Sequence, residues 1–146
     1  LYLGNLNAKR DWGHAKDYVE MMWLMLQQEI PEDFVISTGI QYTVREFVDA
    51  VANKLGMKIE WRSQGKKEEG FWINSLNQKH NLSPIIRIDP RYFRPAEVDN
   101  LLGDSNNARK KLGWKPKITF KEMVSEMTEY DLKLSRQEYD NKNKTF

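Results

Sequence analysis

Asp33-Phe34-Val35-Ile36-Ser37-Thr38-Gly39 and, a short step further on, Thr43-Val44-Arg45-Glu46-Phe47-Val48 carry the fold. The first stretch is a continuous apolar run closed by glycine, the pattern of a strand covered on both faces in a parallel sheet. The second opens with a capping box: the threonine hydroxyl accepts a first-turn amide while the glutamate three residues on reaches back to the threonine amide. Val44, Phe47, Val48, Val51, Ala52 and Leu55 then fall on one helical face, and Gly56 suits the left-handed position that ends a helix. Beyond it Met57, Ile59 and Trp61 alternate with Lys58, Glu60 and Arg62, which predicts a strand with one wet face. Strand, helix and strand in this order place the chain in the α/β class.

Working outward towards the amino terminus, the apolar positions predict a helix from His14 to Gln28. Its stretch Met21 to Leu26 is apolar at six successive positions, so the helix is expected to be buried on more than one face, with Met21-Met22-Trp23-Leu24-Met25 in the core. Glu29 to Asp33 is the turn that stops it. Residues 4 to 12 read as a loop or short strand, and Leu1-Tyr2-Leu3 as the end of an apolar strand. Because the chain opens there on Leu1, it is expected to be the carboxy-terminal part of a longer polypeptide.

Towards the carboxy terminus, residues 63–84 are irregular and read as a variable loop or hairpin excursion, with Pro84 to Ile88 as a return strand. Ser105 is expected to cap a short helix to Leu112, ended by Gly113. Thr119-Phe120-Lys121-Glu122 is a second capping box, opening a helix with Phe120, Met123, Val124, Met127 and Tyr130 inward. From Asp131 the chain turns polar, and a frayed tail is expected over about 135–146. Residues 1–146 thus read as one domain.

Composition narrows the function classes. Among 146 residues, 23 Lys+Arg stand against 21 Asp+Glu, a net charge of +2, with no cysteine. A balance so close to zero does not fit a nucleic-acid binder that works by bulk electrostatics. The absence of cysteine excludes disulfide scaffolds, zinc ribbons and thiol chemistry, and makes a cytoplasmic setting the expectation. No apolar run approaches the ~20 residues of a membrane-spanning helix. His14 and His80 lack metal-ligand spacing, so no metal is expected. Neither a Gly-x-Gly-x-x-Gly nor a Gly-x-x-x-x-Gly-Lys-Ser/Thr motif occurs, so no cofactor-binding residue and no catalytic residue is assigned.

Two polar clusters remain. Asn7, Lys9, Arg10 and Asp11 precede a helix; a guanidinium fork with an adjacent cation and amide suits an anion with several oxygens, although Arg10 could equally pair with Asp11 or Asp17 at the surface. Arg91, Arg94 and Glu97 form the second. Pro95 holds Arg94 out of helical backbone, and Glu97 could accept from a ligand diol while Arg94 holds a phosphate; the plain alternative is a surface Arg–Glu pair. The runs Lys66-Lys67-Glu68-Glu69 and Arg109-Lys110-Lys111 are assigned to solvent.

At these clusters the sequence resembles a known family. Leu3-Gly4-Asn5-Leu6-Asn7-Ala8-Lys9-Arg10-Asp11-Trp12-Gly13-His14-Ala15-Lys16-Asp17-Tyr18-Val19 is similar to a stretch of the GDP-mannose 4,6-dehydratases, extended short-chain dehydrogenase/reductase proteins. Tyr92-Phe93-Arg94-Pro95-Ala96-Glu97-Val98, Leu102-Gly103-Asp104 and Lys111-Leu112-Gly113-Trp114-Lys115-Pro116 resemble the same family in the same order. The resemblance implies a carboxy-terminal substrate-binding lobe of an extended Rossmann-type dehydratase, with the Rossmann core largely absent and Phe34-Val35-Ile36 returning to the main sheet as a late strand. It implies that Arg10 and Arg94 hold the diphosphate of GDP-mannose, that Glu97 takes ribose hydroxyls, that Asn7 and Lys9 lie at the same nucleotide, and that Trp12 lines the pocket. The family's NADP and catalytic residues belong to an amino-terminal Rossmann portion, the partner this segment needs, and the complete enzymes are dimers or tetramers. The reaction it implies converts GDP-mannose to GDP-4-keto-6-deoxymannose and water, in GDP-fucose and deoxysugar synthesis. Residues 1–146 alone are expected to show no turnover. Two other readings stay open at this point: another nucleotide-sugar epimerase or dehydratase, and a truncated, non-catalytic nucleotide-sugar-binding module.

Overall fold

In the computed structural model, which describes residues 1–73, 83–94 and 101–143, the capping box at Thr43 sits where a strand passes directly into a helix. Strand β1 (Tyr2–Leu3) leads through a turn to β2 (Lys9–Arg10) and helix α1 (Ala15–Leu26); β3 (Tyr42–Thr43) runs directly into α2 (Val44–Lys54). Strand β4 (Lys58–Arg62), a 3₁₀ turn (Gly65–Lys67), β5 (Glu69–Ile73) and β6 (Ile86–Ile88) follow, then α3 (Asn106–Leu112) and α4 (Phe120–Asn143). The sheet order is β1-β6-β5-β4, with β2 and β3 forming a separate two-stranded ladder. Within the sheet β1 and β6 are parallel, Leu3 opposite Ile88, while β4–β5 and β5–β6 are antiparallel.

Local sequence accounts for most of these elements. Thr43 and Glu46 form the complete capping box at α2, and Gly56 takes φ of 70° past its end. Thr119 and Glu122 repeat the exchange at α4. His14 caps α1, its Nδ1 accepting from the Lys16 amide. The alternation over 57–62 emerges as β4, and the excursion after it begins as the β4–β5 hairpin; residues 74–82, His80 among them, lie outside the described residues.

The core gathers α1, α3 and the chain between them. Met21, Ala108 and Trp114 are buried together, with Tyr18, Phe34, Ile36 and Leu112 packed around them. Asp17, buried on α1, accepts from the Lys117 and Ile118 amides, and its carbonyl accepts from the Trp114 indole N–H. Packing of this kind fixes the entry to α4.

Several expectations are corrected. Helix α1 is buried on one face only: Met21 is enclosed, but Val19, Met22, Trp23 and Leu26 are exposed. Phe34-Val35-Ile36 enters no ladder among the described residues, with Phe34 and Ile36 against the core and Val35 exposed. An apolar run specifies burial, whereas a strand also needs a neighbour for its backbone groups. Ser105 occupies the N-cap position of α3 but makes no side-chain capping bond; its hydroxyl donates to the Ser37 carbonyl, while the Asp104 carboxylate accepts from the Asn106 amide. On α4, Met123 and Val124 are buried but Met127 and Tyr130 are exposed, because the helix runs past the body it packs on. It stays helical to Asn143, through much of the stretch expected to fray, with every residue from Glu129 to Asn143 exposed. No described helix is long and apolar enough to cross a membrane.

Candidate functional site

Parallel pairing of β1 and β6 sets the geometry of the site. Both strands end at the same edge of the sheet, and each delivers one of the polar clusters: Leu3 passes into residues 4–10, and Ile88 into residues 89–94. The Asp89 amide donates to the Leu3 carbonyl, extending the contact past the last ladder pair. A Cβ at Gly4 would collide with the Tyr92 carbonyl oxygen, so only glycine lets the two outgoing segments approach this closely. Clefts beyond the carboxyl ends of parallel strands are where open α/β sheets bind ligands.

The first segment is held rigidly. Asn5 opens a turn in which its carbonyl accepts from Ala8 and its side chain accepts from the Asn7 amide, a role asparagine fills because its carboxamide mimics backbone. Leu6 and Ala8 are buried, and Asn7 and Lys9 are exposed. The start of α2 is fastened to this segment: the Val44 and Arg45 amides donate to the Ala8 and Leu6 carbonyls, and Lys9 and Arg10 pair with Thr43 and Tyr42. Arg10 is half-buried, with Nη1 donating to the Lys9 carbonyl. The aspartates weighed as its surface partners are engaged elsewhere: Asp11 accepts from the Thr38 amide and hydroxyl and the Gly39 amide, and Asp17 is the buried residue described above.

In the second segment Asp89 accepts from Arg91 through both its amide and its guanidinium, the shortest contact being 2.6 Å. The Arg91 guanidinium holds the Asp89 carboxyl below its usual range. Arg91 is therefore committed to shaping the turn, and Arg94, exposed, is the cation the segment presents. Glu97 lies outside the described residues.

Trp12 takes a packing position. Its ring centroid lies 5.0 Å from that of Phe47 and 6.1 Å from that of Phe120, and Phe120 stacks on Tyr42 at 3.9 Å. The indole also lines an apolar cavity of about 470 Å³ between α2 and the sheet, with Leu1, Phe47, Val51 and Ile86 among the other walls. No charged or amide side chain lines that cavity, so it is not a place for a nucleotide. The structure thus brings the segments that follow β1 and β6 together at Gly4 and Tyr92, and turns Trp12 towards the apolar side.

Four contacts escaped the sequence. Glu68, assigned to solvent, is buried and ion-paired to Arg45 at 2.5 Å. Lys66, also assigned to solvent, sets its ammonium 5.5 Å from the centroid of the Phe93 ring, beside Arg94. Arg109 donates to the Thr38 carbonyl and Lys111 pairs with Glu32. Only chain folding brings these pairs together; no local pattern announces them.

The fold is that of the nucleotide-sugar epimerases and dehydratases. A UDP-glucose 4-epimerase from Thermotoga maritima, solved with UDP-glucose, matches with a TM-score of 0.63 at 21% identity, over 92% of this chain and 35% of that one. RMD from Pseudomonas aeruginosa, solved with NADPH, matches with a TM-score of 0.60 at 18% identity, over 86% and 33%. Within that class the chain belongs to the GDP-mannose 4,6 dehydratase family, whose model matches residues 1–127. It is 51% identical over 140 residues to a GDP-mannose 4,6-dehydratase of Vibrio cholerae, covering 93% of this chain and 38% of that protein. It is 49% identical over 134 residues to a human GDP-mannose 4,6 dehydratase, covering 92% and 34%. The chain therefore spans little more than a third of the length of these relatives.

Proposed function

We propose that these residues form the GDP-sugar-binding portion of a GDP-mannose 4,6-dehydratase, which converts GDP-mannose to GDP-4-keto-6-deoxymannose and water. The observation that carries this reading is the convergence of two cation-bearing segments beyond the carboxyl ends of β1 and β6, in a chain whose family acts, by name, on GDP-mannose. Arg10 and Arg94 would hold the diphosphate by charge-assisted hydrogen bonds, with Lys9 adding positive potential and Asn7 a neutral donor. Glu97 would accept from the ribose hydroxyls. Trp12 would act from behind, fixing the segment that carries Arg10 through its contacts with Phe47 and Phe120.

What such residues contribute is binding energy remote from the reacting carbons, which orients the hexose and so serves the chemical step. NADP supplies the internal redox chemistry in the reaction proposed, but the described residues do not fit it. No strand here passes through a glycine-rich turn into a helix, and the one strand that runs straight into a helix, β3 into α2, has its first-turn amide taken by the Thr43 hydroxyl. The dinucleotide belongs to a Rossmann portion outside these residues. Two features support such a partner region: the exposed apolar face of α1, and the unladdered apolar run at 33–37, whose composition suits a late strand of a shared sheet. A cytoplasmic, dimeric or tetrameric enzyme accords with this reading.

Competition at the site tests it. In the polypeptide that carries residues 1–146, GDP-mannose should be dehydrated, and GDP should inhibit at lower concentration than UDP or dTDP. Residues 1–146 alone should bind without turnover. Preference for UDP- or dTDP-sugars would move the protein to another branch of the same fold, and turnover by residues 1–146 alone would contradict the assignment.

A further inference from the structure

Arg45 stands at a junction that the binding reading does not use. Its Nη1 lies 2.5 Å from Oε1 of Glu68, a carboxylate with 8% of its side chain exposed. Nη2 donates to Oδ1 of Asn7 at 3.2 Å. The guanidinium carbon sits 4.8 Å above the Trp61 ring centroid, and the Trp61 indole N–H is tied in turn to Asp49. One planar cation thus links the β4–β5 hairpin, the first turn of α2 and the 4–10 segment.

A guanidinium can only donate, so the Asn7 atom facing it must be the carboxamide oxygen. That settles which way the amide is turned: with the oxygen on Arg45, the NH₂ group faces away from the guanidinium, on an exposed side chain. We infer that Arg45, anchored by Glu68 and Trp61, is a positioning residue that sets Asn7 as a hydrogen-bond donor toward an acceptor-rich nucleotide diphosphate. The inference rests on the GDP-binding reading above and sharpens it, because it says which partner Asn7 selects: phosphate or ribose oxygen, not a donor group. Lysine could not replace arginine here. An ammonium is a single point of charge and would serve Glu68 or Asn7, without the fork that serves both.

Calorimetric titration of GDP into the polypeptide that carries residues 1–146 tests this. Asn7→Ala should raise Kd about five- to tenfold, the scale of one neutral hydrogen bond. Arg45→Lys should raise it similarly, and the double variant should bind no worse than Asn7→Ala, since both act through one amide. Asn7→Asp, which keeps an oxygen for Arg45 but offers the ligand only a charged acceptor, should weaken GDP more than Asn7→Ala, and this holds even if Arg45→Lys does not fold. A purely structural Arg45 would lower the unfolding midpoint of Arg45→Lys and leave its GDP affinity at the wild-type value; that result, additive losses in the double variant, or an Asn7→Asp variant that binds as well as wild type would each overturn the inference. If the wild-type protein does not take up GDP, the binding reading itself fails; if it does, and Arg94→Ala weakens it, those contrary results fall on the Arg45 inference alone.

Discussion

Arg94 and Arg91, three positions apart and identical in type, have different employments. Arg91 is spent on Asp89, which accepts from it four times; Arg94 is presented by the turn so formed. Replacing Arg94 by alanine should cost GDP binding roughly 1.5–3 kcal/mol, the range for a hydrogen bond to a charged group, read as a ten- to hundredfold rise in Kd by calorimetry. Lys133, exposed on the free end of α4, is the control, and Lys133→Ala should leave Kd unchanged; equal effects from the two would return Arg94 to the ordinary surface. Lys66 would be a poor control, because its contact with Phe93 places it beside the same segment. From sequence, Asn7, Lys9 and Arg10 could be grouped because they are consecutive or nearly so. Arg45 could not be added, since its partners Asn7 and Glu68 lie far from it in the chain and meet it only after α2 docks.

Capping boxes are the elements that the sequence states most directly, since every group they need lies within four residues. Each also leaves a titratable signature. The amides of Thr43 and Thr119, and after them the hydroxyls, donate to Glu46 and Glu122 and hold both carboxyls below the usual glutamate value. A carboxylate depressed in the folded state stabilises fully above its unfolded pKa, and that contribution is lost as pH falls through the folded value. The unfolding midpoint should therefore decline as pH drops from about 5 to about 3. A Glu46→Gln/Glu122→Gln variant, which retains an acceptor but does not titrate, should show a shallower decline by circular dichroism melting. Parallel curves for the two proteins would deny the boxes this role. Other elements were less legible for a physical reason. The apolar run at Phe34-Val35-Ile36 records that those side chains seek cover, and says nothing of whether a strand lies beside them. Likewise Met22, Trp23 and Leu26 on α1 are apolar but uncovered among the described residues, so an apolar pattern on a helix does not say which of its faces is covered.

For the whole molecule, the decisive fact is that β1 and β6, first and last strands among the described residues, lie side by side and parallel. Short-range patterning can find each strand end; it cannot pair them, because the pairing spans most of the sequence. Once they are paired, two polar segments that looked unrelated leave the sheet side by side, with Gly4 against Tyr92, and the proposed diphosphate site draws on both. The direct measurement is a double-mutant cycle on GDP affinity by calorimetry, comparing wild type, Arg10→Ala, Arg94→Ala and the double variant in the polypeptide that carries residues 1–146. If both guanidinium groups close on one diphosphate, each single variant loses affinity and the two losses fail to add, leaving a coupling energy of about 0.5 kcal/mol or more. Losses that simply add, or a GDP affinity indifferent to either arginine, would contradict the shared site.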